Sequence, residues 1–195
     1  MRHRSSLRAI RPRAEALSRC CLSFVAIAAL ATACNPFAPK ASAPQYPRDP
    51  RFTEFVFQSD KEPTVKDQTD SVNLRWPNME ASEAHLAIAY SSQTGFLPDK
   101  DPESWLTAVA TVPDETIQLL AEGETTDTLL PGIYPHLYEY VPQDCEFTTI
   151  DPEFADKALA PDKEKIPHDF GPMDIQALAV SEDCHLLVFT ALGHS

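Results

Sequence analysis

The chain has 195 residues, 18 Pro against only 5 Gly, and a formal net charge of −13. Residues 1–33 hold six of the Arg residues and one acid, so the 162 residues beyond them carry −18. A surface that acidic repels nucleic-acid phosphates, which excludes nucleic-acid binding, and a chain of that length is enough for one domain and too short for two of average size.

Arg2, Arg4, Arg8, Arg11, Arg13 and Arg19 precede an apolar run at 20–31 that only Ser23 interrupts. A cationic stretch stays on the cytoplasmic side of a membrane and orients the apolar run behind it. As a helix that run would span roughly 18 Å, against about 30 Å of hydrocarbon. It is too short for a permanent span and the right length for the apolar part of an export signal. No later segment has the run of about 18 apolar residues that a spanning helix needs. Ala31-Thr32-Ala33 then gives the small residues of a cleavage site, and Cys34 follows. An ordinary secretory signal and an Arg- and Ser-rich transit peptide remain alternatives on these residues. With Leu30-Ala31-Thr32-Ala33-Cys34, the site resembles the lipobox of bacterial lipoprotein precursors, except that the favoured Leu sits one place early. The resemblance implies that 1–33 is a signal peptide and that Cys34 becomes the first residue, carrying a diacylglycerol and palmitate-type acyl chains. Two or three such chains anchor a protein stably in a membrane. Asn35 following Cys34, rather than Asp, implies the outer membrane, with the rest of the chain periplasmic or surface-exposed.

Residues 34–50 contain five Pro and read as a semi-extended tether, leaving 51–195 as one β-rich domain. Period-two patterns predict strands at 52–57, 71–76, 85–90 and 175–180, and a near-continuous apolar run predicts a central strand at 185–191. Asp101-Pro102-Glu103-Ser104 has the cap, first-turn Pro and acid of a helix start, with Trp105, Leu106 and Val109 on one face. Residues 134–141 alternate Tyr134, His136, Tyr138 and Tyr140 against Leu137, Glu139 and Val141, which predicts a strand with one aromatic face. The 151–174 segment, with four Pro and many charges, reads as a long loop. Cys20 and Cys21 fall in the signal and Cys34 is the lipidation candidate, so Cys145 and Cys184 are left as a pair. In an oxidising compartment an isolated pair is a disulfide, worth roughly 4 kcal/mol for a loop of about 40 residues.

Val72-Asn73-Leu74-Arg75-Trp76-Pro77, Tyr90-Ser91-Ser92 and Leu129-Leu130-Pro131-Gly132-Ile133-Tyr134 resemble strands B and C and the turn into strand F of fibronectin type III domains. The resemblance implies an Ig-like sandwich over about 50–141, mainly β, with one short helix and a long C-terminal insertion; α+β is the alternative. It also implies that Tyr134 is a corner tyrosine whose hydroxyl bonds to the backbone.

No catalytic signature or phosphate loop is present, and no cofactor or metal is implied. Asp99, Asp101 and Glu103 have calcium-loop spacing, but Ser104 and Ala110 stand where that loop needs Gly and Glu. His85, His136, His168, His185 and His194 have no ligand-spaced partners. These features together predict a lipid-anchored binding or structural module. Its partners would be the membrane, through the chains on Cys34, and another envelope protein or a glycan at the Tyr134, His136, Tyr138 and Tyr140 face. The alternative is a hydrolase whose Asp, Glu and His residues come from the 151–174 segment.

Overall fold

The computed structural model describes residues 46–91, 103–163 and 171–193, which belong to one compact unit beginning at Tyr46. The candidate lipidation site Cys34, the signal region and most of the Pro-rich tether lie outside these residues. So do Asp99, Asp101, His168 and His194.

Six strands make a single antiparallel sheet: β1 (Lys66–Asp67), β2 (Glu83–Tyr90), β3 (Ser104–Thr111), β4 (Thr148–Ile150), β5 (Met173–Ser181) and β6 (Leu186–Gly193). Their order across the sheet is β1-β2-β3-β6-β5-β4. The architecture is thus β-rich α+β, with one sheet among the described residues where the fibronectin-like reading expected two packed sheets. Strands 85–90, 175–180 and 185–191 are where the patterns placed them, and β6 is an inner strand. β3 and β6 pair over their full length, from Ser104↔Gly193 to Thr111↔Leu186. Both are buried on both faces, which produces their nearly unbroken apolar sequences.

One face of the sheet is covered by three short helices: α1 (Thr69–Arg75), α2 (Asp114–Leu120) and α3 (Pro152–Leu159). Val72, Trp76, Leu120 and Leu159 from this layer meet Leu86, Leu106, Leu178 and Phe189 from the sheet. The Trp76 and Phe189 rings meet edge to face at 5.2 Å. Among the described residues the other face carries no α-helix. Extended chain from 46 to 65 and the segment 130–141 cover it, bringing Phe52, Ile133, Tyr134 and Leu137 onto Ala87, Trp105, Val109 and Val188.

Five expected elements differ. The 71–76 segment is helix α1, because Val72, Arg75 and Trp76 share one buried helical side. Residues 104–111 are strand β3 and not a helix, since their alternate faces are needed by the two cores at once. Tyr134–Val141 is a 3-10 helix over Pro135–Tyr140, with Pro at its first position where its missing N–H costs nothing. The 151–174 loop contains α3, whose Asp151 side chain accepts a hydrogen bond from the Phe154 N–H at 2.8 Å. The 52–57 segment alternates as expected, with Val56 68% exposed and Phe55 and Phe57 inward, yet it is not a strand: among the described residues its backbone makes one bridge, Phe52↔Leu130.

Cys145 and Cys184 are joined, with 5.8 Å between their Cα atoms. The bridge ties the chain before β4 to the β5–β6 turn, where His185 takes a positive φ of 54°.

Candidate functional site

The aromatic set expected on one strand face is distributed over a helical turn instead, and its members do different things. Tyr134 is 1% exposed. Its N–H donates to Thr107 Oγ1 at 3.1 Å, from β3 beneath it, which fixes the start of the 3-10 helix on the sheet. Its hydroxyl donates to the Glu62 carboxylate at 3.3 Å, so a side chain takes the place of the backbone partner expected of a corner tyrosine. Burial first, then the adjacent Tyr46 and Glu62, push its hydroxyl far above the ordinary phenol range.

Around Tyr134 the rings of Tyr46, Phe55 and His136 pack at 5.5, 5.7 and 5.1 Å. Phe55 and Phe57 continue the cluster onto Trp105, whose indole N–H donates to the Gln58 carbonyl at 3.2 Å. Centroids this close mean the rings fill each other's space and leave no cage between them. His136 is the outward member, with its Nε2 4.0 Å from Glu62.

Tyr138 stacks on Phe52 at 4.5 Å. Arg51 holds this pair in place: its guanidinium pairs with Asp49, donates to the Val141 and Pro142 carbonyls and lies 5.3 Å over the Phe52 ring. The Arg51 hydrogen bonds keep the Asp49 carboxyl below its usual range. Tyr140 stacks on His85 at 3.8 Å and 17°. His85 Nδ1 is 2.6 Å from Asp67 on the edge strand, and Nε2 is 3.2 Å from Glu83. A neutral ring can donate to one of these carboxylates and a protonated ring to both. The nitrogens face different carboxylates, so the three side chains do not converge on one point. Among the described residues no group of three His, Cys, Asp or Glu side chains is placed to hold a metal ion.

Of the charged residues of the 151–174 segment, Asp156, Lys163 and Asp174 form a linked group beside β5. Asp156 Oδ1 accepts from the Trp76 indole at 3.4 Å and from the Ile175 N–H at 3.1 Å, and the carboxylate pairs with Lys163. Lys163 also reaches Asp174 and the Met173 carbonyl.

A separate groove of about 440 Å³ lies beside β4 and β5, between the 127–131 segment and the start of α3. Sequence reasoning did not single it out. Leu129-Leu130-Pro131-Gly132 was legible as a turn, but its neighbours in the groove, Gln176 and Ala177, are about 45 residues away along the chain. No helix among the described residues is long and apolar enough to cross a membrane. No family model, no curated protein and no solved structure matches the chain.

Proposed function

We propose that this is a lipid-anchored protein of a bacterial cell envelope, attached through acyl chains on Cys34, whose folded unit works there as a binding or structural module. The observation that carries this reading is the position of Cys34. It stands directly after a basic stretch, a twelve-residue apolar run and small residues, and eleven residues precede the compact unit at Tyr46. A spacer with Pro36, Pro39 and Pro44 suits a tether between an anchor and a domain. The Cys145–Cys184 bridge is consistent with an oxidising compartment. The outer membrane is the proposed location.

The test is the intact mass of the protein extracted from membranes, beside that of Cys34→Ser. A chain beginning at Cys34 with added diacylglycerol, and a Cys34→Ser variant that no longer fractionates with membranes, is the expected result. An unmodified chain, or wild-type protein found wholly in the soluble fraction, refutes the anchor.

A further inference from the structure

The groove beside β4 and β5 has the construction of a recognition site. Its volume, about 440 Å³, lies within the range of roughly 300–1,000 Å³ typical of ligand sites. Leu129, at its lip, is 46% exposed, one of four large apolar side chains so exposed among the described residues. Asp127 is the one charged residue lining it. Its backbone carbonyl accepts from Thr149 Oγ1 at 3.2 Å, but its carboxylate has no hydrogen-bond donor or basic side chain beside it among the described residues. On the β5 side the ladder is interrupted. Ile175 pairs with Ala191 and Ala177 with Thr190, so Gln176 is bulged out of register, and it lines the groove. Bulges of this kind re-aim a side chain and recur next to functional sites.

The walls are preformed. Leu130 N–H donates to Arg51 at 2.8 Å and Thr53 N–H to Leu130 at 2.9 Å, which clamps the lip segment to the chain beneath it. Gly132 continues the clamp: a Cβ there would come within 2.6 Å of the Glu54 carbonyl oxygen, so only Gly allows this approach.

We infer that this groove binds an extended peptide segment of a partner protein in which a Lys or Arg stands beside apolar residues. The apolar residues would lie on Leu129, Leu130 and Ile150, and the cation would meet the unpartnered Asp127 carboxylate. The groove is partly open to solvent rather than enclosed, which leaves room for a chain that extends beyond it. The charge of the whole chain, −13, attracts a cationic partner at long range. This inference does not depend on lipidation at Cys34.

The test uses the full chain, isotope-labelled, titrated with acetyl-Leu-Lys-Leu-amide, the charge-reversed acetyl-Leu-Glu-Leu-amide, and butylamine alone. The Lys peptide should shift the amide signals of Thr128, Leu129, Gln176 and Ala177 and bind about three- to tenfold tighter than the Glu peptide. That preference should vanish in Asp127→Asn and shrink with added salt, while Leu129→Ala should weaken both peptides. Unchanged thermal unfolding would establish that both variants remain folded. Equal affinity for the two peptides, shifts at other residues, or no saturation up to about 10 mM would overturn the proposal. Butylamine binding as tightly as the Lys peptide would overturn it too, because the site would then recognise an amine without a peptide.

Discussion

Asp156 offers the sharpest test of how the sheet is closed. β4 pairs with β5 at Leu178–Val180, so among the described residues the remainder of β5 has an outer edge with no strand beside it. Side chains replace that strand: Ile175 N–H donates to Asp156 at 3.1 Å and the Met173 carbonyl accepts from Lys163 at 3.0 Å. Asp156 also accepts from the indole of Trp76, a residue with no solvent exposure. Asp156→Ala removes the acceptor from both donors and the partner from Lys163. A buried donor left without an acceptor costs about 1–3 kcal/mol. The indole contact is long at 3.4 Å and belongs at the low end of that range. The Ile175 amide is worth about 1.5 kcal/mol, and the ion pair less than about 1, because Lys163 is partly exposed and keeps Asp174. The total is about 3 kcal/mol, or a fall in Tm of roughly 6–12 °C for a unit of this size. Asp156→Asn keeps an acceptor and should cost about 1 kcal/mol. Urea unfolding measures the loss, and hydrogen exchange at the Ile175 amide locates it. A cost below about 1 kcal/mol for Asp156→Ala, or unchanged exchange at Ile175, would refute the capped-edge account.

Three further outcomes follow from local geometry. Replacing both Cys145 and Cys184 with Ser opens a link across 39 residues and should cost about 4 kcal/mol by loop entropy in urea unfolding; a cost under about 1 would show the denatured chain is constrained by other means. Glu80 is exposed and held at φ 47°, where Asn is tolerated far better, so Glu80→Asn should stabilise by about 0.5–1 kcal/mol, and an unchanged or lower Tm counts against strain at that site. Burial raises the Tyr134 hydroxyl above its ordinary value of 10.0 in the folded state. Above about pH 10 the unfolded chain therefore loses this proton while the folded chain keeps it, and stability falls as pH rises. Tyr134→Phe should flatten that alkaline decline in thermal unfolding, and an equally steep decline in the variant would show that Tyr134 is not its source.

The strands of the sheet centre were legible where the physics left a single reading. Residues 185–191 and 175–180 are continuous or alternating apolar stretches that a strand buries whatever its neighbours, and the Cys pair was fixed by elimination once the export region was set aside. The candidate binding face was not legible, because 134–141 satisfies two periods at once. Alternating aromatics suggest a strand, but Tyr134 and Leu137, three apart, are the fully buried pair, and Pro135 already favoured a helical start over a ladder position.

The same degeneracy explains α1, and it shows what the missing information was. Val72 and Trp76 are four residues apart, a spacing that one face of a strand and one side of a helix both contain. The residue that separates the two readings is the third member of the set. A strand would bury Leu74 and expose Arg75; in the fold Arg75 is 6% exposed, and its Nη1 donates to the Ser71 carbonyl and hydroxyl one turn back. A buried Arg is the choice that sequence reasoning rejects first, since burying its charge is costly until the partners are known. The Ser71 partners come from the helix itself, so that part of the evidence for the helix exists only once the helix has formed. The groove is hidden for a related reason. Leu129 and Asp127 look like ordinary surface turn residues until the bulge at Gln176 brings the middle of β5 alongside them, and a one-residue slip in a strand pairing leaves no mark on composition or period.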